Sequence, residues 1–238
     1  LASDNSSIAV TMSEAVYNTA SGSGSLEASD FALSLSGGSA SLASSIPSSI
    51  SASGNVYTLG IGFTGMPNGG ETLTVSPVDD GIFDLVGNEA ATSQSNNTAT
   101  LNDQLSPTIA LTVANGSGAA VSSGSSTNDA TLVLTLTSSE STTNLNYTDV
   151  TVTGGSVSGF SGSGATYTAT FTPSADGATT VDVAAGAFTD AAGNANTAAT
   201  QFTWTYDGTA ATITSTTLAS NNSSINVTIS EAVFKAAS

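Results

Sequence analysis

The stretch ATLVLTLTSSE, residues 130–140, decides the fold. Its Leu132, Leu134 and Leu136 alternate with Val133, Thr135 and Thr137. A period of two places the leucines on one face of an extended strand, whereas a helix would scatter them around its axis. The same alternation continues outward from this stretch. Upstream lie Ile109, Leu111 and Val113; downstream lie Val150 and Val152, then Tyr167, Ala169 and Phe171, then Val181 and Val183, then Phe202, Trp204 and Tyr206. The first hundred residues repeat it at Ile8, Val10 and Met12; Phe31, Leu33 and Leu35; Tyr57, Leu59, Ile61 and Phe63; and Leu73 and Val75. Short strands at this density, separated by turns of Gly, Ser and Asn, predict an all-β sandwich, and no segment carries a 3.6-residue apolar stripe.

The chain also repeats itself. LASDNSSIAVTMSEAVY at 1–17 returns as LASNNSSINVTISEAVF at 218–234, an offset of 217 with 13 of 17 positions identical. Within that unit FDLVGNEA at 83–90 is echoed by TDAAGNAN at 189–196, an offset of 106, and GNVYTLGIGF at 54–63 by GATYTATFTP at 164–173. A self-similar period marks an array of modules. The expected organisation is a module over 1–104, a second over 105–210, and the opening strands of a third over 211–238. In the second copy of the repeat ATITSTT at 211–217 precedes Leu218 as an opening strand. The first module is therefore expected to take its opening strand from upstream of Leu1 or from a neighbouring chain. The linkers NDQLSPT at 102–108 and YDGTAAT at 206–212 are short, and six or seven residues reach about 25 Å at full stretch. Modules set end to end in a rod are the expectation.

Composition narrows the function. The 238 residues hold 18 Asp and Glu against a single Lys or Arg, Lys235, and no His, for a formal charge of −17. Such a surface repels nucleic acid and anionic lipid, which recruit Lys and Arg, so neither is an expected partner. One-signed charge opposes compaction, so counter-ions or bound Ca²⁺ are expected. Cysteine is absent, which excludes disulfides, thiol catalysis and thiolate-held zinc. No apolar run reaches membrane-spanning length, so no membrane insertion is expected.

The second module, from SPTIALTVANGSG through YTATFTPSADGATTVDVAAGAFTDAAGNAN to TWTYDGTA, resembles the bacterial-type Ig-like repeats of extracellular adhesins and surface filaments. The first resembles them through VTMSEAVY, DFALSLSGG, YTLGIGF and DLVGN. The resemblance implies tandem immunoglobulin-like β-sandwiches, an extracellular or cell-surface location, a stalk or shaft role, and Ca²⁺ at the ends of some modules. Copies of the chain or adjoining repeats in a fibre are the implied partners.

Carboxylates are the reactive groups present in number. D-x-x-G-N at 84–88 and 190–194 puts Asp84 with Asn88, and Asp190 with Asn194, on tight turns whose glycine admits positive φ. Ca²⁺ takes six to eight oxygens, so further ligands must converge on each turn. Glu14 and Asp30 are candidates in the first module, Glu140 and Asp149 in the second, and Asp103 and Asp207 in the linkers. The alternative reading has Asp and Asn capping their own turns without metal.

Other chemistry is weaker. Asp79 and Asp80 are adjacent, and neighbours in a strand point to opposite faces, which argues against a shared hydrolytic site. Serine nucleophiles lack a histidine base. An enzyme is not expected. Sequons at Asn5, Asn96, Asn115, Asn146 and Asn222, with Asn221 and Asn226, would accept glycans in a secretory compartment, Asn5 and Asn222 being equivalent in the repeat. The tracts 21–25 and 122–127 could carry O-linked sugar. Trp204, Phe202 and Tyr206 share a strand face and are expected in the core rather than on a sugar-binding surface. Two functions remain: a non-enzymatic structural repeat of a filament or adhesin stalk, or a module within the array that binds carbohydrate or another ligand.

Overall fold

A computed structural model describes residues 1–234; Lys235 and the last three residues of the expected third module lie outside the described residues. Among the described residues the protein is all-β, with two single turns of 3-10 helix at Ala28–Asp30 and Tyr147–Asp149. It divides into two compact units: one comprises Leu1–Pro107 with Thr189–Asn194, the other Thr108–Phe188 with Ala195–Ser238.

The first unit contains β1 (Ser7–Thr11), β2 (Phe31–Ser36), β3 (Ser41–Leu42), β4 (Ile50–Ser53), β5 (Val56–Gly60), β6 (Phe63–Thr64), β7 (Thr72–Pro77) and β8 (Thr98–Thr100). One sheet has the order β1-β5-β4, the second β2-β7-β8, and β3 pairs with β6. The pairings are antiparallel, with Val10 opposite Tyr57 and Leu33 opposite Val75. Ile8, Tyr57 and Leu59 from the first sheet meet Phe31, Leu33, Leu73 and Val75 from the second in one core. In β7 every second residue is buried, the signature of a strand with one face on a core.

The second unit contains β9 (Ile109–Asn115), β10 (Ala120–Val121), β11 (Ser126–Thr127), β12 (Leu132–Thr142), β13 (Val150–Thr153), β14 (Gly155–Pro173), β15 (Gly177–Val183) and β16 (Phe202–Tyr206). Its sheets run β10-β9-β12-β14 and β11-β16-β15-β13. Leu132, Leu134 and Leu136 of one sheet and Val181, Val183 and Trp204 of the other bury into a common core, which makes the unit a β-sandwich. Trp204 is 2% exposed and meets Phe171 edge to face at 4.6 Å. After β16 come β17 (Ile213–Leu218) and β18 (Ile225–Ile229), an antiparallel hairpin whose residues are all exposed.

Three features depart from the sequence reading. Tyr57, Leu59, Ile61 and Phe63 do not form one strand: Gly60 ends β5, and beyond Gly62 the chain changes sheets to pair with β3. β14 is 19 residues long and extends the alternating Tyr167, Ala169 and Phe171 back through the glycine-rich GSVSGFSGSG. Val157 and Phe160 pack partly against the core and hold that half extended. Asp79 and Asp80 follow β7 in a turn instead of lying in a strand, so opposite-face geometry does not apply to them.

Candidate functional site

Both D-x-x-G-N segments fold into the same clasp. Asp84 Oδ1 accepts the N–H groups of Val86 (2.9 Å) and Asn88 (2.8 Å), and its Oδ2 accepts Asn88 Nδ2 at 2.7 Å. Asp190 Oδ1 accepts the N–H groups of Gly193 (2.7 Å) and Asn194 (2.9 Å), and its Oδ2 accepts Asn194 Nδ2 at 2.9 Å. Gly87 and Gly193 sit at φ of 89° and 97°, the left-handed region that the turn requires. The amide of Asn88, and after it the backbone N–H groups, hold the Asp84 carboxyl below its usual range. Asn88 and Asn194 therefore turn a donor toward the carboxylate. To act as oxygen ligands beside Asp84 and Asp190 they would have to turn their carbonyl oxygens to that place.

Asp30, Asp149, Asp103 and Asp207 are also engaged locally. Asp30 Oδ2 accepts the Glu27 N–H at 2.7 Å and Asp149 Oδ2 the Asn146 N–H at 2.8 Å, each closing a capping box on a 3-10 turn. Asp103 Oδ1 accepts Leu105 N–H, and Asp207 Oδ1 accepts Thr209 N–H. Glu140 lies on β12, half-buried, in the second unit. Glu14 lines the same groove of the first unit as Asp84 and Asn88. In the first unit the carboxylate oxygens of Asp103 and Asp190 lie within 4.8 Å of one another, and Asn194 Nδ2 also donates to the Asp103 carbonyl at 3.3 Å.

The sequons do not share one environment. Asn5 is 1% exposed; its Nδ2 donates to the Asn102 carbonyl at 2.8 Å and its Oδ1 accepts the Asn102 N–H at 2.9 Å. The folded unit thus encloses the amide nitrogen that a sugar on Asn5 would occupy. Asn146 Nδ2 is used by Asn144 and Asp149, and Asn115 Oδ1 organises a turn with Ser117 and Ala119. Asn96 and Asn222 are exposed.

Sequence reasoning passed over Glu71. Its side chain is fully enclosed, with Oε1 accepting the N–H groups of Ser39 (2.7 Å), Ala40 (3.0 Å) and Asn68 (3.2 Å). Burial pushes its pKa up, yet the hydrogen bonds from Ala40, Ser39 and Asn68 outweigh burial and leave it lowered. A buried carboxylate bound only by backbone donors stitches loops together, and nothing in GGETLTVSP announces it.

Two-sheet sandwiches whose conspicuous polar residues serve turns define a class of structural β-modules. Residues 103–206 match the bacterial Ig-like domain family, which is consistent with a bacterial Ig-like module, and that family is generally non-enzymatic. No curated protein matches the chain. Among the described residues no helix is long and apolar enough to cross a membrane.

Proposed function

We propose that the chain is a structural repeat segment of an extracellular filament or surface adhesin stalk, made of Ig-like modules and without catalysis of its own. The observation that carries this reading is the duplicated turn at 1–7 and 218–224. Ala2 N–H donates to Ser7 O and Asn5 N–H to Ala2 O; 217 residues later Ala219 N–H donates to Ser224 O and Asn222 N–H to Ala219 O. Asn5 and Asn222 share positive φ, 59° and 52°. A chain that rebuilds one turn with the same bonds is built from periodic modules, and stalks use such modules for reach. Against the ligand-binding alternative, Trp204 and Tyr57 are buried in cores and offer no stacking face. Immunogold labelling with antibodies against 103–206 should decorate extensions on the outside of intact source cells. Label confined to the cell interior overturns the reading.

Ca²⁺ belongs to the same proposal at Asp103 and Asp190. A carboxylate offers about four lone-pair sites; the Asp190 turn takes three of them, and Asp103 directs one oxygen to Leu105. A cation would cancel the repulsion between two carboxylates held this close. Added Ca²⁺ should raise the melting temperature and Asp103→Asn should remove the gain; an unchanged melting temperature with chelator and with Ca²⁺ dismisses the site.

A further inference from the structure

The first unit has an open edge beside an open groove. β1 ends its sheet, with β5 on one side. Ile61 N–H donates to Ser6 O and Met12 N–H to Asn55 O, so the even-numbered residues of this strand turn their peptide groups toward β5. The odd-numbered Ala9 and Thr11 turn theirs outward. Alongside runs a groove of about 860 Å³ lined by Ile8, Val10, Met12, Phe31, Val75 and Ala99, among others.

The same chain shows what fills such a place. In the second unit β12 pairs with β14 as β1 pairs with β5: Leu136 lies opposite Tyr167 as Val10 lies opposite Tyr57, and Thr137 opposite Thr166 as Thr11 opposite Val56. The other edge of β12 is covered by β9, with Val113 opposite Leu134 and Leu111 opposite Leu136. Ile109 and Val113 of β9 are buried in that core.

The C-terminal hairpin supplies the matching strand. β18 repeats β1 at the 217-residue offset, with nine identities in the first twelve positions of the repeat. β17 holds it by the side that is open on β1: Ala219 N–H donates to Ser224 O and Ser230 N–H to Thr212 O, so Ser224, Asn226 and Thr228 face β17, and these correspond to Ser7, Ala9 and Thr11. In the pair, Leu218 lies opposite Ile225, Thr217 opposite Asn226, Thr216 opposite Val227, Ser215 opposite Thr228 and Ile213 opposite Ile229. Both strands are exposed, with Ile213 at 66% and Leu218 at 61%, and a two-stranded hairpin alone is marginal in water.

We propose that the edge of β1 and its groove form a strand-accepting site, and that its occupant is β17 of a second copy of this chain. The incoming strand runs antiparallel to β1, with Leu218 opposite Ile8, Thr217 opposite Ala9, Thr216 opposite Val10, Ser215 opposite Thr11 and Ile213 opposite Met12. Leu218 then takes the place that Val113 holds opposite Leu134, and Ile213 the place that Ile109 holds opposite Ser138. β17 exchanges an exposed partner for one backed by β5, β4 and a core, and both sides bury apolar surface. Contact of β17 of one copy with β1 of the next is heterologous, so each copy keeps a second joining surface and chains add in series. This goes beyond the stalk reading by naming the joint, and it is measured on purified chain, so its failure leaves surface labelling untouched.

Sedimentation of the chain from micromolar to millimolar concentration should show masses rising in steps of one chain, 23.1 kDa. Thr217→Pro removes a backbone donor from the joint while altering only the exposed hairpin, and should leave monomers at every concentration. The Thr217→Pro chain keeps its groove, so a synthetic peptide of residues 209–219 should bind it saturably and slow hydrogen exchange at the Ala9 and Thr11 amides. The peptide carrying Thr217→Pro should not bind. Unaltered chain that stays monomeric, or peptide binding that protects other amides instead, overturns the proposal.

Discussion

Asn5 and Asn102, 97 residues apart, hold each other by three hydrogen bonds: Asn5 Nδ2 donates to the Asn102 carbonyl at 2.8 Å, and Asn5 Oδ1 accepts the Asn102 N–H at 2.9 Å and Asn102 Nδ2 at 3.1 Å. Asn102 Nδ2 adds a bond to Ala2 O at 3.0 Å, so the start of the first unit is fastened to its last strand segment. Replacing Asn5 by Ala strands both Asn102 backbone groups and puts a β-carbon residue at φ 59°. The cost to the first unit should be about 2–4 kcal/mol, read from denaturant unfolding. Asn5→Gly keeps the backbone conformation available and should lose about 1 kcal/mol less. Asn222→Ala in the exposed hairpin should leave that transition where it was.

Glu71 makes the stability of the first unit depend on pH. Its pKa in the folded chain lies below the ordinary 4.5, so folding favours the charged form. The stabilisation is complete above the unfolded value and disappears as the pH falls through the folded value. Glu71→Gln should therefore cost about 1–3 kcal/mol at pH 7, where it weakens charge-assisted bonds to Ser39, Ala40 and Asn68. The gap between the two proteins should narrow steadily below pH 4.5. A gap that stays constant down to pH 2 would show that the carboxylate's charge contributes nothing.

What could be read from the sequence separates cleanly along this line. The leucines of 132–136 and the phenylalanine, tryptophan and tyrosine of 202–206 point inward or outward by strand period alone, and that period is local. The D-x-x-G-N turns were legible for the same reason, because the three side-chain bonds of each clasp close within five residues. Glu71 was not legible, because its donors Ser39 and Ala40 arrive from loops more than thirty residues away. Asn5 and Asn222 make the point most directly: each is followed by Ser-Ser and both occupy the same turn, yet one is enclosed and the other exposed. The difference lies in Asn102, which no local pattern contains.

Gly155 opens β14 against the core, and a β-carbon there would strike the ring of Phe171 and the carbonyl of Thr172. Phe171 is fully buried beneath Trp204 and cannot withdraw without opening the aromatic pair. Gly155→Ala should destabilise the second unit by about 1–3 kcal/mol, the usual cost of overpacking. Gly116→Ala is the control: nothing lies within 4 Å of a β-carbon at that position, and its effect should stay within about 0.5 kcal/mol. Equal effects of the two would refute the packing argument.

The two equivalent sequons should also differ when the chain is secreted from a host that glycosylates N-x-Ser/Thr. A sugar on Asn222 projects into solvent, since every residue of 219–224 except half-buried Ala219 is exposed. A sugar on Asn5 would replace a hydrogen on the nitrogen that donates to Asn102 and would have to fit where the side chain is 1% exposed. Modification precedes folding, so molecules modified at Asn5 forfeit the fastening of the first unit and should be retained or aggregate. Mass spectrometry of tryptic and chymotryptic peptides from the soluble secreted fraction should find glycan at Asn222 and unmodified Asn5. Glycan at Asn5 in soluble chain that keeps wild-type unfolding behaviour would mean that the Asn5–Asn102 fastening is dispensable, and the stability prediction for Asn5→Ala would fall with it.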